Sequence, residues 1–251
     1  MDDSVTLEMR REGFELLDAY DSVVRVAQLV GDPSRATMLM ALMDGQAWPA
    51  GDLAQAAGVA PSTASDHLGQ LVAGGLLTVV RQGRHRYYRI ADESVAQIMK
   101  SMAVAAPPGQ VRSLRQSDER RTLRHARTCY DHVAGRVGVA MTEGAIARGY
   151  FEATGADHCE LTDAGLACLH ELGVEWEGGR RGVPLHIDWT ERVGHLAGPL
   201  AVRLTARLFE LGWFTRGAGE GVVSRRAVVV TEAGKAALRD YLGIDVDGLE
   251  G

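Results

Sequence analysis

Apolar positions in the first hundred residues recur at helical spacing in several short stretches separated by turn residues. From about Asp18 to Val30 (YDSVVRVAQLV at its heart) and from Asp32-Pro33 through SRATMLMALMDG to Gly45, the pattern predicts two scaffold helices. A short third helix, Gly51 to Ala57, stops at Gly58, a residue that tolerates the left-handed conformation of a helix end. A fourth begins at about Pro61, where proline suits the first helical position. The third and fourth helices and their glycine turn read as a helix-turn-helix. Behind them, TVVRQGRHRYYRIA alternates in the manner of two strands joined at Gln82-Gly83, and a fifth helix, SVAQIMKSMAVAA, runs to a break at Pro107-Pro108-Gly109.

The fourth helix carries the first candidate chemistry. Ala64, Leu68, Leu71 and Val72 share one face, while Ser62, Thr63, Asp66, Gly69 and Gln70 project from the other. Small polar side chains allow close approach to base edges and phosphates. The expected DNA-contacting set is Ser62, Thr63, Ser65, Asp66, His67 and Gln70 on the helix, with Arg81, Arg84, His85 and Arg86 on the hairpin; His67 lies at the edge of the apolar face, where packing or a phosphate contact suits it better than base reading.

Beyond the break the organisation changes. Residues Arg112 to Arg127 carry six arginines and are expected to merge into an apolar-periodic helix through CYDHVAGRVGVAMTEGAIARG. A weak repeat follows: His132-Val133-Ala134-Gly135 recurs as His195-Leu196-Ala197-Gly198, and Leu161-Thr162-Asp163-Ala164-Gly165 as Val230-Thr231-Glu232-Ala233-Gly234. Thr162 and Thr231 are expected to cap the last helix of two related units. The fold class that results is mainly α with small β: a winged helix-turn-helix domain, residues 1–107, and an internally duplicated, winged-helix-like α/β domain, residues 108–251, for effector binding or assembly.

Composition sharpens this picture. The chain has 251 residues, 46% of them hydrophobic, and a net charge of −6. That total looks adverse to nucleic-acid binding, but between Pro61 and Ile90 the only acidic residue is Asp66, against four arginines, so the reading head is locally basic. No apolar run approaches the roughly 20 residues of a membrane-spanning helix, and the start is acidic where a secretory signal is basic and then apolar. Three cysteines without a CxxC pair argue against a disulfide framework. The expected location is the cytoplasm, with no membrane partner.

All three cysteines and six of the eight histidines lie after the break. Cys129 and His132 are expected one helical turn apart and Glu191 and His195 four residues apart on one helix face, but none forms a zinc signature, so neither metal nor cofactor is assigned. In HIDWTERVGH, Trp189 can stack on a flat ligand while Arg192 or His195 holds its polar end, and Asp188 with Glu191 equally fits a capping box at the start of a helix. The expected effector set is Cys129, His132, Asp188, Trp189, Glu191, Arg192 and His195. GxSxG, HExxH and a P-loop are absent, and an enzyme is not expected.

In DPSRATMLMAL, GDLAQAAGVAPSTASDHLGQLVAGGLL and RQGRHRYYRI, the chain resembles the ArsR/SmtB family of bacterial winged-helix repressors over about Asp18 to Ala103. The resemblance implies a homodimer joined through the first and fifth helices that occupies a palindromic operator until an inducer releases it. The family's thiolate site before the third helix is replaced here by Ala47-Trp48-Pro49-Ala50-Gly51-Asp52, and the fifth helix has no histidine, so the best-known metal sites are missing. The decision to bind is therefore expected in the second domain, through a small-molecule effector. Alternatives are a metal- or redox-responsive regulator using the second-domain Cys and His residues, or a constitutive DNA-binding protein whose second domain serves only assembly.

Overall fold

The computed structural model describes residues 20–83, 85–106, 114–218 and 222–249. The chain forms two compact units: residues up to 42 with 46–95, and residues 43–45 with 96–251. The division falls inside the fifth helix. The Pro107-Pro108-Gly109 break lies outside the described residues.

In the first unit, residues 20–30 form helix α1. α2 (Pro33–Ala41) starts where Asp32 accepts a hydrogen bond from the Arg35 amide, with proline at its first position. α3 (Ala50–Ala57) ends at Gly58 in the left-handed region, and α4 (Pro61–Ala73) follows without a side-chain cap. Strands β2 (Leu77–Gln82) and β3 (His85–Ile90) pair antiparallel, and β1 (Trp48–Pro49) adds to β3 in a sheet of order β1-β3-β2. The core is Met38, Leu39, Leu42, Trp48, Leu53, Leu68 and Leu71, all nearly solvent-free. Each fully buried leucine stabilises the unit by roughly 1.5–3 kcal/mol, which is what holds a helix lacking a cap.

α5 (Glu93–Ala105) begins in the first unit and continues in the second. The second unit then runs α6 (Leu114–His125), hairpin β4 (Arg127–Cys129) and β5 (His132–Ala134), α7 (Gly135–Ala147), hairpin β6 (Phe151–Ala153) and β7 (His158–Leu161), and α8 (Asp163–Glu171). A similar order follows, with one short helix added between its last two strands: hairpin β8 (Val183–Ile187) and β9 (Gly194–Leu196), α9 (Gly198–Glu210), β10 (Phe214–Arg216), the short α10 (Val222–Arg226), β11 (Val228–Val230) and α11 (Glu232–Leu242). Strands β6-β7-β8-β9 form one sheet, and β4–β5 and β10–β11 are two-stranded. Thr162 and Thr231 cap α8 and α11, each accepting from the glycine amide three residues on. A Cβ on Gly165 would come within 2.1 Å of the Tyr150 carbonyl oxygen, and one on Gly234 within 2.2 Å of that of Trp213. Only glycine permits these approaches.

Two expectations are corrected. The arginine-rich helix does not merge with the next: it ends at His125, and residues 127–134 form a hairpin turned at Tyr130, which has a left-handed φ of 60°. Both faces of this hairpin are buried, so it lacks the alternation that marks a half-exposed strand. Asp188 caps no helix; residues 188–193 form a turn between β8 and β9. Among the described residues no helix is long and apolar enough to cross a membrane.

Candidate functional site

On α4, Ala64, Leu68 and Leu71 are buried, and Ser62, Thr63, Ser65, Asp66, Gly69 and Gln70 are exposed. Five of the expected helix residues thus share the solvent face. His67 sits apart: its side chain is 16% exposed, with Nδ1 4.0 Å from the Asp32 carboxylate and 3.5 Å from Arg35 Nη1. That is the packing role. Sequence reasoning missed Arg35. Its guanidinium donates to the Gln70 Oε1 at 2.7 Å and to the carbonyls of Gln28 and Leu29, bracing α1 against α4. Gln70 therefore offers its amide NH2 outward while its oxygen is held from behind.

The wing is regular to its tip, where Gln82 pairs with His85 and Gly83 takes a left-handed φ of 59°. Arg81 and Arg86 lie directly opposite each other, both exposed, with no ion pair to either among the described residues. Like charges in register cost stability unless an external anion faces them. His85 is exposed beside them; Arg84 lies outside the described residues.

The second unit holds its polar chemistry inside. Arg127 and Asp188 form an ion pair with both side chains fully buried, Nη2 donating to Oδ1 at 2.9 Å and Oδ2 at 2.8 Å. Asp188 also accepts from the amides of Gly135, Thr190 and Glu191 and from the Thr190 hydroxyl. Burial pushes the Asp188 carboxyl up, but the Arg127 guanidinium and these donors outweigh it and hold it well below the usual carboxylate range. The Trp189 ring lies 4.8 Å from the Arg127 guanidinium carbon. Glu191 binds Arg124 at 2.8 Å, and exposed Arg192 donates to the carbonyls of Val104 and Ala106 at the end of α5. Four of the seven expected effector residues, Asp188, Trp189, Glu191 and Arg192, thus brace this unit internally.

The other three meet. Cys129, His132 and His195 are buried, and their ligand atoms lie within 4.8 Å of one another. The two histidines face each other with Nε2 atoms 3.1 Å apart. Neither expected pair lies on one helix face: Cys129 opposes His132 across β4–β5, and His195 belongs to β9, where His186 opposes it. His186, absent from the expected set, has its ring 5.6 Å from that of His132 and accepts a hydrogen bond at Nδ1 from Lys100 at 3.1 Å. Burial lowers all three histidines, His132 well below its ordinary value, His186 to about 4 and His195 to about 3; neighbouring cations add to the effect, and at His195 the Asp188 carboxylate opposes it without outweighing burial. The remaining candidate donors lie elsewhere: the Cys159 thiol is buried and pushed up to about 11, and exposed His158 pairs with Asp157.

A family model described as a helix-turn-helix domain matches residues 30–80. The chain is 37% identical over 229 residues to the HTH-type transcriptional regulator YdfF of Bacillus subtilis, spanning 90% of this chain and 99% of that protein. It is 35% identical over 78 residues to the HTH-type transcriptional regulator CmtR of Mycobacterium tuberculosis, 31% of this chain and 65% of that one. Among solved structures, the homodimeric winged helix-turn-helix DNA-binding domain Mb0332 from Mycobacterium bovis matches with 31% identity and a TM-score of 0.33, over 36% of this chain and 82% of that one. The curated relatives are named as transcriptional regulators, not enzymes.

Proposed function

This chain belongs to the HTH-type transcriptional regulators, and from that premise we propose that it is a dimeric winged-helix repressor of the ArsR/SmtB type, released from an inverted-repeat operator by an effector acting on the second unit. The observation that carries the reading is the α4 face: small polar residues stand in solvent over a buried Ala64, Leu68 and Leu71, beside a wing whose opposed arginines have no ion-pair partner among the described residues. Ser62 and Thr63 are at the N-terminal end of α4, the end a recognition helix presents to base edges. Arg81 and Arg86 take phosphates or the minor groove.

Dimerisation is supported by apolar residues left in solvent on two helices. Tyr20, Val23 and Val24 are 60%, 66% and 52% exposed on α1, and Ile98 and Met102 are 38% and 45% exposed on α5. A second copy covering them would place two recognition helices in successive major grooves, with half-sites about one helical turn, or a multiple of it, apart. Release requires the effector to bind the DNA-incompetent dimer more tightly than the operator-ready one.

Selection of duplexes from random DNA by the full chain, followed by footprinting, tests this. The expected product is an inverted repeat, and Thr63→Ala should relax preference at particular base pairs by about 1–3 kcal/mol each. No enriched sequence, or an enriched site indifferent to Thr63→Ala, would remove α4 as the reading element.

A further inference from the structure

Two hairpins of the second unit each oppose a histidine to a second metal-binding side chain. In β4–β5 the pair is Cys129 and His132; in β8–β9 it is His186 and His195. The hairpins bring Cys129, His132 and His195, from three strands, together at one buried point, with the half-buried His186 ring beside them, 5.6 Å from that of His132 and 6.4 Å from that of His195. We propose that Cys129, His132 and His195, completed by His186, bind one borderline-soft divalent metal ion of the zinc class, and that this ion is the effector acting on the second unit. The effector role rests on the regulator reading above; the site itself does not.

The geometry is close to that of a coordinated ion. Two nitrogens about 2.0–2.1 Å from a tetrahedral zinc stand about 3.3 Å apart, and the Nε2 atoms of His132 and His195 stand 3.1 Å apart. A sulfur and a nitrogen on the same ion stand about 3.5 Å apart; with all three ligand atoms within 4.8 Å of one another, a small rotation of Cys129 closes the set. The metal-free arrangement also leaves one polar atom stranded. When two imidazoles share a single proton between Nε2 atoms, Nδ1 of His195 has no hydrogen-bond partner, though it lies 3.9 Å from Asp188 Oδ2. An ion between the rings takes both Nε2 lone pairs and moves the protons to Nδ1, where that of His195 faces the Asp188 carboxylate. This is the carboxylate–histidine–metal arrangement that orients ligands in known sites.

Binding displaces the Cys129 thiol proton to solvent, so a divalent ion adds one net positive charge to the cluster. Lys100, on α5, holds its ammonium 3.1 Å from His186 Nδ1 and must leave that nitrogen if His186 ligates through it. The added charge drives it the same way. α5 begins in the helix-turn-helix unit and continues in the second, and it is the element through which the proposed ion would act on operator affinity.

Other candidates are weaker. The enclosed apolar gap lined by Met141, Phe151, Leu204, Trp213 and Tyr241 is about 50 Å³, well below the ~300 Å³ at which organic-ligand pockets begin. In the basic groove of α6, Arg124 and Arg136 already face Glu191, and Lys235 faces Glu232 and Asp247.

Titration of the reduced full-length protein with Co(II), followed by Zn(II) competition, decides the matter. One cobalt per chain is expected, with tetrahedral visible bands and a near-ultraviolet thiolate charge-transfer band. Cys129→Ser should abolish the thiolate band, and His195→Gln should weaken binding at least a hundredfold. Lys100→Met, which removes a competing cation, should tighten binding by roughly tenfold. Zinc should lower affinity for the selected duplex in the parent protein and not in Lys100→Met. Absence of the band, or its persistence in Cys129→Ser, overturns the site. A normal band with unchanged DNA affinity overturns the effector role alone. The cobalt spectrum is taken without DNA, so failure to find an operator would count against the regulator reading and leave the site standing.

Discussion

The helix-turn-helix unit keeps its candidate functional polar groups in solvent, whereas the second unit takes them inside. On α4 and the wing, Ser62, Thr63, Asp66, Arg81 and Arg86 are exposed, and the buried residues of that unit, among those described, are hydrophobic. In the second unit Arg127, Asp188, His132, His195, Thr205 and Arg226 are all buried. An exposed polar residue costs the fold little and waits for a partner of its own. A buried one must be paired at once, because desolvation is expensive. The two units are therefore expected to respond oppositely to loss of a charge: binding without stability in the first, stability first in the second.

The largest effect expected is at the Arg127–Asp188 pair. Arg127→Met leaves the Asp188 carboxylate buried without its cation, and should cost about 3–5 kcal/mol in the unfolding free energy of the second unit. Urea denaturation followed by tryptophan fluorescence reads it out, since Trp176, Trp189 and Trp213 all lie in that unit. The double variant Arg127→Met, Asp188→Leu should recover part of the loss, because no isolated charge remains. A cost below about 1 kcal/mol for Arg127→Met would mean that water reaches the pair, and the contrast between units would collapse.

The wing supplies the opposite case. Arg81 and Arg86 repel each other across the hairpin, so Arg86→Ala should leave stability unchanged or raise it by about 0.2–1 kcal/mol. The same change should weaken DNA binding across all sequences and reduce the salt dependence of log K by about one unit. Gain in one assay with loss in the other is the signature of a residue kept for its ligand. Loss of stability together with binding would make Arg86 a structural residue and erase the distinction.

How much of this was legible in sequence differs between the units for the same physical reason. The α4 face and the wing could be read because half-exposed elements write their periodicity into the chain, polar outside and apolar inside. Residues 127–134 could not, because a hairpin buried on both faces has no polar side to mark, and it was expected as part of a helix. Asp188 with Glu191 fitted a capping box, yet an aspartate that accepts the amides two and three residues ahead closes a turn with the same bonds. The Val193-Gly194 step and the strand after it were the signal against a helix. Cys129, His132 and His195 were singled out, but as spacings on helices; their assembly depends on two hairpins far apart in sequence. One clue was present: His132 and His195 precede matching Val-Ala-Gly and Leu-Ala-Gly steps, and matching steps place them alike. His186 and Arg35 carried no such mark.

The smallest expected effect tests whether the two threonine-capped helices of the second unit are alike in energy. Thr162 and Thr231 each accept from a glycine amide at 3.0 Å, and each donates its hydroxyl to the carbonyl of a glycine just past an earlier helix, Gly149 after α7 at 2.6 Å and Gly212 after α9 at 2.7 Å. Each threonine thus ties the start of one helix to the end of another. Thr162→Ala and Thr231→Ala should each cost about 1 kcal/mol, within the range for loss of an N-cap, and the two losses should agree to within a few tenths. Because the sites share no partner, the double variant should show their sum to within about 0.5 kcal/mol. Unequal losses would mean that the same local geometry carries different loads at the two helices, and additivity failing by more than that margin would mean that α8 and α11 unfold as one.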